Sequence, residues 1–413
     1  MSRDFRAYWA AEVTSTFGSV FTVTAIGIVA VRTFGASAGQ VGVVTAAATL
    51  PTVVFAVLSG TVADRLRRPR RVLMACDAVA ALAVAAVAVG VWRGWATVWW
   101  LVALNLVLGG LSTLVEPVYF THLGGLVDGE ALVRGRARLQ SGEYGANVVG
   151  RALAGPVVAV FGGAVGFAVD AASYVFSFVS LMRLRAPDRA VPRPDDEGEE
   201  SLLREAAAGV RAVAGHPFLR ALTGFLVAWG AIMAAITALT VSFLLGTLRI
   251  PTAWYGALFA FTGLAGLAGS LLGGRWVGRI SYPVLTLGGF AGAILTSLLL
   301  PVAAGPLVVA ASLAVLGIAL PVFFGAIANI GLTGVLTVDI PEGVLGRVLA
   351  ALKTATMTAQ VAGALLGGLL GDLVGVRLAL WLCSVAALGS LVLATPAVRS
   401  MRPAAAVPVG AAP

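Results

Sequence analysis

Six ionisable residues of this chain interrupt stretches that are otherwise apolar: Glu12, Glu116, Glu143, Arg151, Asp170 and Lys353. A charge held at the depth of a bilayer costs about 2.5–3.5 kcal/mol or more, so such groups mark proton relays, ligand contacts or gates. Glu143 and Arg151 are eight residues apart, which puts them on one helical face roughly 12 Å from each other. Three acids and one base in a poorly hydrated space cannot all stay charged. At least one is therefore expected to carry an exchangeable proton, Glu116 first and Glu12 next, with Glu143 and Arg151 as a structural or gating pair. Glu12 and Glu143 could instead snorkel to the inner interface. Asp170 is expected to be structural before it is coupling. Lys353 is expected to reach the interface or to meet a substrate anion. Asn329, Gln360, Trp229 and Met357 add the neutral polar, aromatic and thioether side chains that suit a large hydrophobic ligand.

No catalytic constellation accompanies these groups. His122 and His216 stand apart at loop edges, no metal-ligand spacing occurs, and no phosphate-binding glycine loop is present. The expectation is a protein that is not an enzyme and holds no cofactor, with the proton gradient as its energy source.

Elements able to hold such charges must lie in lipid. Of 413 residues, 59% are hydrophobic and only 11% charged, and mean hydropathy is +0.97. Soluble domains average about 45–50% apolar and about 25% charged. The composition excludes a soluble enzyme, a nucleic-acid binder and a disordered scaffold. The net charge of +9 sits in short clusters between apolar runs, so it does not point to nucleic acid. Cys76 and Cys383 are too few and too apolar in setting to form a disulfide framework. One lysine against 27 arginines, with abundant alanine, points to a high-GC bacterial source. Ala36-Ser37-Ala38 resembles a signal cleavage site, but the apolar stretch before it is too long for a signal core.

Twelve runs are long enough to cross about 30 Å of hydrocarbon: 8–31, 40–62, 72–92, 97–120, 139–161, 164–183, 218–246, 252–276, 283–303, 306–330, 346–370 and 374–395. They are continuous rather than alternating, which leaves helices and excludes a barrel. With both termini in the cytoplasm, inside connections carry 23 of the Lys and Arg residues and outside ones carry four, Arg32, Arg93, Arg249 and Arg377. The expected location is thus the bacterial cytoplasmic membrane, multi-pass, both termini inside. A polar stretch at 184–217 divides the runs six and six. The expected organisation is an N-terminal six-helix bundle at 1–183, a cytoplasmic linker at 184–217, a C-terminal bundle at 218–395 and a tail at 396–413.

The two parts repeat. Gly42, Gly60 and Arg65 recur as Gly256, Gly274 and Arg279 at an offset of 214, and Asp128 and Arg136 recur as Asp339 and Arg347 at 211. Parallel six-helix repeats that rock against each other are a transporter architecture.

Particular motifs carry a resemblance. Gly60-Thr-Val-Ala-Asp64-Arg65, running on to Arg70-Arg71, resembles the loop between helices 2 and 3 of the major facilitator superfamily. Gly150-Arg151-Ala-Leu-Ala-Gly155-Pro156 is similar to the glycine–proline motif in helix 5 of its antiporters. Trp9 to Gly18, Pro117, Phe167 to Ser173 and Pro341 to Val348 look like the branch holding enterobactin exporters and macrolide efflux pumps. Glu116 stands where that branch usually has a small or amide residue. The resemblance implies an all-α polytopic membrane protein of 12 transmembrane helices in two pseudo-symmetric six-helix bundles. Asp64, Asp77 and the pairs Asp128/Arg136 and Asp339/Arg347 fall at the cytoplasmic face and are expected to form a gate there, next to Gly60, Arg65 and Arg71 of the signature loop.

The function expected on these grounds is proton-driven export of a hydrophobic or amphipathic compound, such as a drug, macrolide, siderophore or secondary metabolite. Expected partners are that small molecule, protons and membrane lipids, with no nucleic acid and a monomeric state. A facilitator or uptake transporter is the alternative within transport; a non-transporting sensor or lipid-handling protein is the alternative outside it.

Overall fold

The computed structural model describes residues 3–55, 69–126, 130–184, 209–339 and 342–400. Twelve helices of 16 residues or more occur among them: α1 Arg3–Ile28, α2 Ala38–Phe55, α3 Pro69–Trp92, α4 Val98–Leu126, α5 Glu130–Phe161, α6 Gly163–Met182, α7 Pro217–Ser242, α8 Thr252–Trp276, α9 Tyr282–Ser297, α10 Leu307–Asp339, α11 Glu342–Val374 and α12 Val376–Ser400. Eleven are long and apolar enough to cross a membrane; α12 is apolar over the shorter stretch Val376–Val392. Eleven of the twelve expected spans are thus seen among the described residues. Helices α4, α5, α10 and α11 extend beyond the runs read from hydropathy. The polar start of α5 stays helical where Arg136 and Arg138 are exposed.

Helix pairing repeats. Among the first six, α1 packs on α5 and α6, α2 on α4, and α3 on α4 and α6. Among the last six, α7 packs on α11 and α12, α8 on α10, and α9 on α10 and α12. Each pair thus recurs six helices later. Between the two sets, α2 lies along α11 and α5 along α8. Both crossings need glycine. A Cβ on Gly155 would stand 2.8 Å from the Gly256 amide nitrogen, and one on Gly368 would stand 3.0 Å from the Gly42 Cα. Without side chains in the way, the backbones approach as close-packed membrane helices do.

The ends of α1 and α7 add a second repeat at the same offset. Each runs into a π-helical turn, Val29–Thr33 and Phe243–Thr247. The amide of Phe34 donates to the Val29 carbonyl at 3.0 Å, and that of Leu248 to the Phe243 carbonyl at 2.8 Å. Gly35 follows the first turn with φ 60° and Arg249 follows the second with φ 53°. Only glycine takes such a φ without cost, so the second copy carries strain that the first does not.

This end of the molecule, with its short connections, is sealed by one continuous apolar core. Val29, Phe243, Leu244 and Ile250 are all fully buried in it, and it draws on helices of both sets. At the opposite end the core splits. Phe5, Tyr8, Leu73 and Leu139 pack within the first six helices, whereas Phe218, Leu222, Val335 and Leu352 pack within the last six.

Candidate functional site

A cavity of about 710 Å³ lies toward the last six helices, with α2 closing its other side. Its apolar wall is an aromatic group. Phe225 and Trp229, one turn apart on α7, both meet Phe290 of α9 edge-to-face, at centroid distances of 4.8 and 5.4 Å. Its polar positions are Thr45 and Thr49 on α2, Thr237 on α7, Asn329 on α10, and Thr356 and Gln360 on α11. The Thr45 hydroxyl donates to the Val41 carbonyl at 2.9 Å and that of Thr237 to the Met233 carbonyl at 2.8 Å. With their protons spent on their own helices, both hydroxyls turn lone pairs outward. Among the described residues, none of the side chains lining this cavity is ionisable.

The sequence-predicted residues divide around it. Asn329, Gln360 and Trp229 line the cavity. Lys353 is exposed on α11 and is not among the lining residues. Glu12 lines a separate, smaller cavity of about 140 Å³ among the first six helices. There it is joined by Asp77 of α3, Ser112 of α4, and Tyr174 and Ser177 of α6. One carboxylate oxygen of Asp77 is buried without a hydrogen-bond partner. Glu143 of α5 and Asp77 both stand within electrostatic reach of Glu12.

Asp170 is fully buried where α6 crosses α1. The Ser173 hydroxyl lies 2.8 Å from the Asp170 carbonyl and 3.1 Å from its Oδ1. Gly18 of α1 makes room, since a Cβ there would fall 2.7 Å from Oδ1. The Thr22 and Ser19 hydroxyls of α1 also face the Asp170 carboxylate.

Glu143 and Arg151 share a helix but keep different company. Arg151 interacts electrostatically with Tyr255 of α8, beside the Gly155–Gly256 crossing. Gly150, on another face of α5, abuts Val20 of α1 at 3.2 Å from where its Cβ would be. The Gly150–Gly155–Pro156 segment thus fastens α5 to a neighbour in each set, with Pro156 itself exposed.

Arg71, Arg136 and Arg347 are exposed at the end where the core splits. Gly60, Asp64, Arg65 and Asp128 lie outside the described residues. Glu116 and Asp339 belong to α4 and α10, but their side chains lie outside the described part of the structure.

Contacts at the sealed end went unread in the sequence. The Ser37 hydroxyl donates to Asp372 Oδ2 at 2.9 Å, and Arg32 donates to the Ile250 carbonyl at 3.0 Å. Each joins the first six helices to the last six. Asp372 also abuts Gly39 in the first turn of α2, where the helix dipole favours an anion. The available signal was an acid at the end of an apolar run, opposite a connection rich in small residues.

A family model described as transmembrane secretion effector matches residues 1–409. No curated protein matches the chain. The crystal structure of the nucleoside transporter NupG is 16% identical with a TM-score of 0.73, covering 97% of this chain and 99% of that one. A bacterial homologue of the iron transporter ferroportin, in an inward-facing state, is 14% identical with a TM-score of 0.75, covering 96% and 100%. A bacterial homologue of the human lysosomal transporter Spinster, inward-facing and unoccupied, is 14% identical with a TM-score of 0.71, covering 97% and 98%. At these identities the likeness is one of fold.

Proposed function

Because the chain belongs to the transmembrane secretion effector family and has the fold of the major facilitator superfamily of small-molecule transporters, we propose that it exports an amphipathic compound in exchange for protons. The observation that carries this reading is the unequal core: continuous across both sets of helices at one end, divided at the other, with the large cavity between. A molecule built to open alternately to two sides needs this bistability. The arginine and lysine distribution supports placing the termini and the divided end in the cytoplasm, so the form described here faces inward.

The repeated pairing supports two six-helix bundles, 1–183 and 218–395, joined by the linker 184–217. In this scheme the bundles rock about the α2–α11 and α5–α8 crossings. Glu12, with Asp77 and Glu143 near it, and Glu116 on α4 take up and release the proton. Asp170 and Arg151 hold α6 and α5 to their neighbours. Asp64, Arg65, Asp128, Arg136, Asp339 and Arg347 form the cytoplasmic gate when the cavity faces outward. Each proton entering down 100 mV supplies about 2.3 kcal/mol, enough to accumulate substrate outside.

The test uses inside-out vesicles energised to an acid interior and followed with a pH-sensitive dye. Added compounds should release protons from vesicles containing the wild type, and the Glu12→Gln, Glu116→Gln double variant should release none. Equal release from both would refute the carboxylate assignment, and release from neither would refute antiport of those compounds.

A further inference from the structure

We infer that the large cavity selects uncharged, oxygen-rich amphipathic molecules and rejects both cations and anions. The inference rests on the transporter reading of the cavity and narrows its substrate class. Asn329, Gln360, Thr45 and Thr237 make its surface polar without making it charged. An ion entering would give up its water and find no opposite charge among the described lining residues to replace it, a loss that hydrogen bonds to neutral groups do not make good. Neither Lys353 on α11 nor Glu12 in the smaller cavity lines the space.

The chemistry of the polar groups defines what fits. Thr45 and Thr237 offer lone pairs, because their protons go to Val41 and Met233, so they suit ligand hydroxyls. The amides of Asn329 and Gln360 can donate to ligand carbonyl or ether oxygens. Opposite them, Trp229 and Phe290 present flat apolar surface. The matching ligand is a neutral ring system or macrocycle with one apolar face and several hydroxyl and carbonyl groups. A cavity of about 710 Å³ is within the range that takes drug-sized molecules. A cation could seek the rings, but Phe290 already packs edge-to-face with Trp229, and no carboxylate among the described lining residues stands behind them.

The separation has a mechanistic consequence. If the acids that carry the proton are not those that touch the substrate, the two do not compete for one group. Exchange must then be enforced through the bundle positions.

The test measures equilibrium binding to purified protein in nanodiscs without any gradient. Three probes share one fluorophore: dansyl 2-hydroxyethylamide, its trimethylammonium analogue and dansylglycine. The neutral probe should bind saturably, with both charged probes about tenfold or more weaker. Trp229→Ala should weaken the neutral probe by about tenfold. Gln360→Glu should reverse the order in favour of the trimethylammonium probe, a change that general damage would not produce. Size-exclusion elution establishes that each variant is folded. Equal or tighter binding of a charged probe to the wild type overturns the inference, as does the absence of saturable binding by all three. Because no gradient is present, neutral-selective binding alongside failed proton exchange in vesicles would refute antiport and leave this inference standing.

Discussion

Gly155 of α5 and Gly256 of α8 meet backbone to backbone, and Gly42 of α2 meets Gly368 of α11 in the same way. Gly42 and Gly256 are the pair related by the internal offset of 214. One position of the repeat thus serves both crossings between the two sets of helices. These crossings are where any rocking motion must pivot, because they are the long contacts shared by both sets.

Adding a side chain at a pivot should jam it. A Cβ on Gly155 would sit 2.8 Å from the Gly256 nitrogen, so Gly155→Val must push α5 and α8 apart. Overpacking of this kind costs about 1–3 kcal/mol. The expected outcome is a lower melting temperature and loss of most efflux in whole cells. Gly145→Ala, on the same helix but facing open space, should change neither.

The contacts of the sealed end should bias which way the cavity faces. Ser37 and Asp372 are joined by a charge-assisted hydrogen bond, of a type worth about 1.5–3 kcal/mol. Asp372→Ala should therefore populate forms open at that end. A thiol placed at Ala30, buried here, in a chain lacking Cys76 and Cys383, should label about tenfold faster in the Asp372→Ala background. Equal labelling rates would show that this bond holds nothing shut.

Arg249 has the only positive φ among the described non-glycine residues, at the position where the first repeat has Gly35. Its side chain is exposed. Residues held in this region cost about 1–3 kcal/mol. Arg249→Gly should raise stability by about 1 kcal/mol, seen as a higher melting temperature in detergent, and Gly35→Ala should lower it. A destabilised Arg249→Gly would mean that the arginine makes a compensating contact.

Coupling and binding should separate genetically. Glu12 lies in the small cavity and outside the large one. Glu12→Gln should abolish compound-dependent proton movement and leave dansyl 2-hydroxyethylamide affinity within about twofold of wild type. A comparable fall in affinity would place Glu12 in contact with the ligand.

Much of the fold was legible because lipid imposes simple rules. Continuous apolar runs must be helices, and arginines mark one side, so eleven spans and the repeat could be read directly. The repeated glycines foretold the crossings but not their partners, although Gly155 and Gly368 are themselves 213 residues apart. The π-helical turns were invisible: Val29–Thr33 and Phe243–Thr247 share little beyond position, and hydropathy does not distinguish helix types. Hydropathy gives depth but not rotation about the helix axis, so it could not tell that Asn329 and Gln360 line the large cavity and Glu12 the small one. Asp372 was missed because it lies between two long apolar runs, where a loop acid looks ordinary.

The central claim is alternating access between two rigid sets of helices, and distance measurement tests it most directly. Spin labels at exposed Thr247, in the π turn of α7, and exposed Thr33, in that of α1, report on the sealed end; a second pair at exposed Gln140 and Leu349 reports on the divided end. Pulsed electron spin resonance in nanodiscs, with and without dansyl 2-hydroxyethylamide and across a pH series, should give two distance populations at each end. As the short-loop end opens, the Gln140–Leu349 distance should fall. One unchanging distance at both ends, in a protein that binds the probe, would contradict the account.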